Sequence, residues 1–248
     1  MKSRHPNKPS KSISSASFQQ TSGFILTDRD AAALRFLLEQ GVSTVDQLWR
    51  AVWWKPESGS SSFAKKRLVL MHRAGYLILD RSHILKAGLY RPTLVAYELM
   101  TARDGIAYPK PLARLNHNEI EHSLRLTDLR LTLQRAGRIR SWKSERVLMM
   151  ESLLGGGSYR AKRDRYPDAI WHSASGRRIL IEVEISEKSH LRLKNKIDRY
   201  QSLVGKEYDA VLWLVGHPTI QKSINRLIGS DKNQKTELWG EFLEQFEK

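Results

Sequence analysis

The strongest constraint on the fold comes from two neighbouring segments that combine strand-like alternation with acidic residues. The segment Ile179–Ile185 places isoleucine and valine at alternate positions, and it places Glu182 and Glu184 together on the opposite face of a strand. Tyr166-Pro167-Asp168 opens a preceding apolar segment, and the turn Ser173-Ala174-Ser175-Gly176 predicts a hairpin that joins the two. Asp168, Glu182 and Glu184 are therefore expected to converge at one end of a sheet.

Crowded carboxylates of this kind favour a cation site. Like charges at short distance repel, so the cluster costs stability unless a cation neutralises it. A hard divalent ion with oxygen ligands is the natural occupant. The opposite interpretation, a solvated strand face with partnered carboxylates, is less consistent with the apolar segments that flank the two glutamates.

The charge of the chain points to a polyanionic partner. With 42 Lys and Arg against 26 Asp and Glu, the formal charge is +16 in 248 residues, and the basic residues are spread along the chain. This pattern favours nucleic acid over a membrane surface. Cysteine is absent, which excludes disulfides, thiol catalysis and cysteine-ligated metals. No apolar run is long enough to span a membrane, and the basic N-terminus lacks the apolar segment of a secretory signal. Together with the absence of cysteine, this predicts a cytoplasmic protein.

The first half of the chain predicts a DNA-binding domain. Residues 1–22 are expected to form a disordered basic arm, and residues 23–110 contain two helices, a basic third helix near 62–74 and a basic hairpin. This is the order of a winged helix-turn-helix, in which the third helix enters a major groove. The expected DNA contacts are Lys65, Lys66, Arg67, Arg73, Arg81 and Arg91, with Arg160 and Arg163 from a later loop.

The second half, residues 111–248, predicts a mixed sheet flanked by helices, so the whole chain combines α+β and α/β features. A long helix (116–134) precedes a strand at 139–150, the two acidic segments, a helix near 189–204 and an apolar strand at 209–215. The order is αβββαβ, and the last two strands should be parallel. An amphipathic helix with Leu238, Trp239 and Phe242 ends the chain.

These residues resemble the PD-(D/E)XK nuclease superfamily. Pro167-Asp168 corresponds to its Asp motif, and Glu182-Val183-Glu184 corresponds to its E-x-K motif. The resemblance implies a nuclease fold, but Glu184 stands where that superfamily has lysine. Either Lys188 or Lys196 is then the candidate for the missing positive charge.

A narrower resemblance covers roughly Phe24 to Val215. A winged helix, a Trp-x-x-Glu strand (Trp142 to Glu145), a Pro-Asp strand and a Glu-x-Glu pair look like the replication-relaxation family, which includes the MOB-C class of plasmid relaxases. In that family an acidic residue is normal at the position that Glu184 occupies here. The resemblance implies a bacterial cytoplasmic protein that nicks plasmid DNA at a transfer origin, with site and strand specificity. The partners that it implies are double- and single-stranded DNA, and an accessory mobilisation or coupling protein is a further candidate.

The expected chemistry assigns a role to each residue. Asp168 and Glu182 hold Mg²⁺ or Mn²⁺, Glu184 joins directly or through water, and either Glu121 or Glu145 completes the shell. The ion polarises the scissile phosphate and activates a water. Lys188 or a nearby arginine offsets the charge of the transition state.

Three alternatives stay open at this stage. The first is a non-catalytic winged-helix regulator or plasmid-maintenance protein whose nuclease-like half is a scaffold. The second is a dimeric cutter of both strands. The third uses a tyrosine nucleophile (Tyr159, Tyr166 or Tyr200), although the histidines are too scattered for the three-histidine metal site of other relaxases.

Overall fold

The structure, a computed structural model, describes residues 24–54, 61–81, 88–156 and 166–246. In these ranges a set of N-terminal helices with a small antiparallel sheet is followed by a larger mixed sheet with helices. The predicted basic arm (1–22) lies outside the described residues. No helix in the described ranges has the length and hydrophobicity that a bilayer span requires.

The N-terminal half contains four α-helices and three short strands within the described ranges. Thr27 begins the first helix through a capping box with Asp30, and Thr44 caps the second in the same way with Gln47. The strands form an antiparallel sheet in the order β1-β3-β2. The elements are α1 (Asp28–Gln40), β1 (Ser43–Thr44), α2 (Val45–Leu48), which continues into a π-helical turn (Trp49–Trp53), α3 (Ser62–Arg73), β2 (Leu77–Arg81), β3 (Gly88–Pro92) and α4 (Leu94–Asp104).

The second half is built on a five-stranded sheet in the order β4-β5-β6-β7-β8. The first three strands are antiparallel, and β6, β7 and β8 are parallel. The elements are α5 (His117–Arg135), β4 (Ile139–Ser144), α6 (Glu145–Leu154), β5 (Ala169–Ser173), β6 (Arg178–Glu184), α7 (His190–Leu203), β7 (Ala210–Val215), α8 (Pro218–Ile228), β8 (Gln234–Leu238) and α9 (Trp239–Glu244).

The hairpin predicted for the acidic segments is confirmed, and so is the parallel pairing of the strands on either side of α7. β5 and β6 pair antiparallel, and β6 pairs in parallel with β7. Ile181 and Val183 pack with α5 and α9 on one side of the sheet, whereas Leu180 packs with α7 and α8 on the other. Glu182 and Glu184 alternate with Ile181 and Val183, so they emerge on the α7 side.

Three predicted segments differ from the structure. The strand expected at 139–150 ends at Ser144, because the Ser144 side chain accepts a hydrogen bond from the Val147 amide and caps α6. The predicted order αβββαβ therefore lacks α6, which lies between the first and second of these strands. It also lacks α8 and β8, which follow β7. Leu238 was expected in the C-terminal helix but ends β8, and the helix begins at Trp239.

Candidate functional site

The end of the β5–β6 hairpin positions the three acidic residues. Ala169 pairs with Ile181, so Asp168, just before β5, lies beside the last residues of β6. The Val183 amide donates a hydrogen bond to Asp168 Oδ2 over 2.7 Å. The Glu145 amide donates to the Asp168 carbonyl over 2.9 Å, which ties the start of α6 to the same point. The backbone of three elements thus fixes Asp168.

Glu182 lies beneath the site rather than in it. Its side chain is completely buried, and α7 supplies both of its partners: the Tyr200 hydroxyl donates to Oε1 and the Lys196 ammonium to Oε2. Burial raises the pKa of Glu182 to about 8 in spite of the nearby lysine. Because both oxygens are engaged, Glu182 is suited to positioning Lys196 and Tyr200.

Glu184 is the more available carboxylate of the pair. It is buried, and it lies next to two ammonium groups, with Lys188 Nζ at Oε2 and Lys196 Nζ 3.9 Å from Oε1. Neither of its oxygens accepts a regular hydrogen bond from the described residues. An ion-paired carboxylate without hydrogen bonds retains its lone pairs for another cation.

The two lysines proposed as substitutes for the missing motif lysine both reach the acidic pair. Lys188 lies in the segment after β6 and is 27% exposed, whereas Lys196 lies on α7 and is 16% exposed. Burial lowers the pKa of Lys196, but Glu182, Asp168 and Glu184 outweigh that effect and leave the pKa raised. Lys196 is therefore a permanent cation, and Lys188 is the more exposed of the two.

His122 is a site residue that the sequence did not reveal. It lies on α5, with Nε2 3.0 Å from Asp168 Oδ2. Burial lowers the pKa of His122, but the charge and hydrogen bond of Asp168 outweigh it and leave the pKa raised. Burial likewise raises the pKa of Asp168, but His122, Lys196 and the Val183 amide hold it below its ordinary value. The two side chains form a hydrogen bond over the hairpin end, and this contact becomes an ion pair when His122 is protonated.

Glu121, a predicted metal ligand, does not join this group. Its side chain is 56% exposed and pairs with Arg125 one turn along the helix, over 2.8 Å. The acidic residues that approach the site from neighbouring elements are Glu119 on α5 and Glu145 at the start of α6. Of the two glutamates proposed to complete the shell, only Glu145 lies at the cavity.

A cavity of about 250 Å³ opens at the site. Its wall includes the carboxylates of Glu119, Glu145, Asp168 and Glu184 and the cationic groups of Lys188, Arg192 and Lys196, with Tyr166 at one side. Opposite charges in one small cavity can hold a phosphate next to a metal ion, or they can neutralise each other. The arrangement is thus compatible with phosphate chemistry.

The carboxylates of Asp168 and Glu184 can hold a hard divalent ion together only if Lys188 moves away from Glu184. Within the described residues, no three His, Cys, Asp or Glu side chains are already grouped to hold a metal. Asp168 and Glu184 nevertheless face the same cavity, and the Glu184 oxygens lack hydrogen bonds from the described residues. Carboxylate oxygens are the ligands that Mg²⁺ and Mn²⁺ prefer. Withdrawal of Lys188 from Glu184 would provide this pair.

The predicted DNA-contacting residues divide into exposed and engaged groups. Lys65, Lys66 and Arg73 on α3 and Arg81 at the end of β2 are exposed. Arg67 instead pairs with the fully buried Asp30, and Arg91 pairs with Asp80 over 2.6 Å and donates to the Leu112 carbonyl. Arg160 and Arg163 lie outside the described residues.

We expect Arg67→Ala to affect stability and Arg73→Ala to affect DNA binding. Arg67→Ala removes the partner of buried Asp30 and should lower the free energy of unfolding by about 2–3 kcal/mol. Arg73→Ala should change stability by less than about 0.5 kcal/mol but weaken DNA binding, because its charge faces solvent. Urea unfolding and a DNA-binding titration of both variants check this. Equal stability of the two variants would contradict it.

Comparisons with known proteins add no relative. No family model, no curated protein and no solved structure matches this chain. The resemblance to the replication-relaxation family stays a prediction that depends on the order of motifs between Phe24 and Val215.

Proposed function

We propose that this chain is a divalent-metal-dependent DNA endonuclease that nicks one strand. The observation that carries this proposal is the cavity in which Asp168 and Glu184 face Lys188 and Lys196 at the end of a mixed sheet. Carboxylates that hold a metal, next to cations that meet a phosphate, are the groups that phosphodiester hydrolysis requires. A formal charge of +16 supports nucleic acid as the substrate.

The proposed roles follow from what each side chain touches. A bound Mg²⁺ or Mn²⁺ supplies a Lewis acid and a water of lowered pKa. Asp168 and Glu184 would hold the ion, and Glu182 fixes the position of the Lys196 ammonium at the wall of the cavity. Lys188 leaves Glu184 and meets the charge that develops on the phosphate, which its partial exposure allows.

The proposed architecture is a winged helix-turn-helix followed by a PD-(D/E)XK-like nuclease domain. The small sheet β1-β3-β2 beside α3 supports the first part, since α3 carries exposed Lys65, Lys66 and Arg73. The β5–β6 hairpin, the α7 crossover and the parallel β7 support the second. In the most specific form of the proposal, the protein is a plasmid relaxase that nicks at a transfer origin. Only the motif order supports that form.

A second candidate function is a DNA-binding regulator or plasmid-maintenance protein with a non-catalytic scaffold. The observation in its favour is that the acidic residues already have cationic partners. Lys188 pairs with Glu184, Lys196 with Glu182 and His122 with Asp168. Such a site is electrostatically neutralised without a metal, so an inactive descendant would be stable.

A Mn²⁺ titration distinguishes the two candidate functions, because only the nuclease requires the carboxylates to bind a divalent ion. We expect Glu184→Gln to weaken Mn²⁺ binding by about tenfold or more, because it removes a charged oxygen donor from the cavity. Glu121→Gln makes the same chemical change on an exposed residue outside the cavity and should leave the affinity within about twofold. The paramagnetic resonance signal of free Mn²⁺ measures both. Equal affinity of the two variants would contradict the proposed ligand set.

A further inference from the structure

A second cavity, a groove of about 330 Å³, runs beside α7. Its lining residues are Ser189, Leu191, Arg192, Asn195, Lys196 and Arg199. We refer to these six residues as the α7 groove. No role was predicted for it from the sequence, and the nuclease proposal uses only its member Lys196.

The α7 groove adjoins the cavity of about 250 Å³ that Asp168 and Glu184 line, which we call the carboxylate cavity. Arg192 and Lys196 line both. Asn195 and Lys196 lie three and four residues after Arg192, and Arg199 lies four and three residues after them, so the four residues share one face of the helix. From Arg192 to Arg199 this face covers about 10 Å along the helix axis. A ligand that extends out of the carboxylate cavity would therefore follow α7.

The charge of the α7 groove differs from that of the carboxylate cavity. The groove is lined by three basic residues, Arg192, Lys196 and Arg199, and none of its described lining residues is acidic. Glu182 and Glu184 offset the charge of Lys196 from beneath, so the positive potential of the groove depends mainly on the two arginines. The acidic residue of the same helix, Asp198, pairs with Lys194 over 2.7 Å and does not line the groove. A surface with this composition binds an anion rather than a metal.

The dimensions suit several phosphates in a row rather than one. A B-form strand carries one phosphate per about 3.4 Å of the duplex axis, and its phosphates lie farther apart along the strand itself, so 10 Å of helix spans about two to three phosphates. Leu191, which is 68% exposed, adds an apolar contact at the rim. Exposed apolar side chains beside phosphate-binding cations contact bases in DNA complexes. Ser189 and Asn195 add neutral hydrogen-bonding groups.

We infer that the α7 groove holds the DNA strand next to the scissile phosphate, through the phosphates of about two to three neighbouring nucleotides. This inference rests on the proposed nuclease function only in placing the cleaved phosphate beside the groove. Binding of the strand itself requires no catalysis. Arg192 and Lys196 then connect strand binding to the carboxylate cavity, because they belong to both walls.

Asn195→Glu tests the inference with a matched control. It adds one negative charge to the groove at an exposed position, whereas Gln201→Glu adds the same charge at an exposed position of α7 that does not line the groove. The probes are a short fluorescein-labelled single strand and the matching duplex, at low salt in EDTA. The single strand has no major groove for α3, so it reports on other sites. Arg199→Gln, compared with Lys194→Gln, provides a second pair.

The expected result is a dissociation constant that rises about fivefold or more for Asn195→Glu with at least one probe and stays within about twofold for Gln201→Glu. Arg199→Gln should also raise the dissociation constant, and its affinity should depend less on salt than that of the wild type. Equal dissociation constants for Asn195→Glu and Gln201→Glu with both probes would overturn the inference. Because metal is absent, this failure differs from that of the nuclease proposal, which would appear as normal binding without nicking.

Discussion

Replacement of Lys196 by alanine is expected to lower the free energy of unfolding by about 1–3 kcal/mol. Lys196 is the ammonium partner of Glu182, whose side chain is completely buried behind the sheet. Without Lys196, Glu182 keeps only the Tyr200 hydroxyl as a partner. Because burial raises the pKa of Glu182 to about 8, the side chain is mostly protonated at pH 7, and the cost is that of a buried oxygen without its partner rather than that of an unpaired charge. Urea-induced unfolding followed by circular dichroism measures the loss.

The same helix provides the control for this prediction. Lys194 pairs with Asp198, and both side chains are more than half exposed, at 53% and 52%. Lys194→Ala should therefore cost less than about 0.5 kcal/mol. At a pH above the Glu182 pKa of about 8, Glu182→Gln in the Lys196→Ala background should recover part of the loss, because the carboxylate would otherwise be an unpaired buried charge. Equal costs for Lys196→Ala and Lys194→Ala would contradict the buried pairing.

Asp168→Asn is expected to reduce metal-dependent nicking by about a thousandfold, which corresponds to about 4 kcal/mol of transition-state stabilisation. Asparagine has nearly the same shape and keeps an oxygen that can accept the Val183 amide. It lacks the charge that a divalent ion needs, and it loses the ion pair with His122. DNA affinity should stay within about twofold, because α3 and the α7 groove are unchanged.

Glu121→Gln is the matched control for that experiment, because it removes one carboxylate charge from an exposed residue outside the cavity. Its nicking rate should equal that of the wild type. A gel assay that separates supercoiled from open-circular plasmid measures both variants. Nicking by Asp168→Asn at the wild-type rate would remove Asp168 from the proposed site.

The part of the fold that surrounds the site was predictable because its signals are local. Alternation along Ile179–Ile185 determines which side chains face α7 and which face α5, and the Ser-Gly turn determines the hairpin. The apolar run before Gly216 identifies a strand buried on both faces. Together these features determine which carboxylates emerge at the hairpin end.

Other elements depended on signals that conflict or are weak. Val147, Leu148, Met149 and Met150 suit either a strand or a helix, and the cap at Ser144 decides for the helix. For α8 the signal was present: Ile220, Ile224 and Ile228 recur on one helix face after Pro218, and all three are buried. β8 is mostly polar (Gln234–Leu238), so it lacks the alternation that identifies a strand.

The candidate site shows a similar division. Asp168 and Glu184 reach the cavity as their strand positions indicate, but Glu182 lies below it, because Tyr200 and Lys196 from α7 engage both of its oxygens. The choice between His122 and Glu121 depends on how α5 is rotated against the hairpin. That rotation is set by tertiary packing of residues such as Leu129 and Leu133, which a single sequence does not specify.

The most direct test of the central claim is plasmid nicking by the wild-type protein. Supercoiled plasmids with and without a candidate transfer origin would be incubated with Mg²⁺, with Mn²⁺ or with EDTA. The proposed function predicts open-circular product only with a divalent ion, and the relaxase form of the proposal predicts it only on plasmids that carry the origin. Absence of open-circular product in every metal, with DNA binding intact, would contradict the nuclease proposal and favour the DNA-binding scaffold.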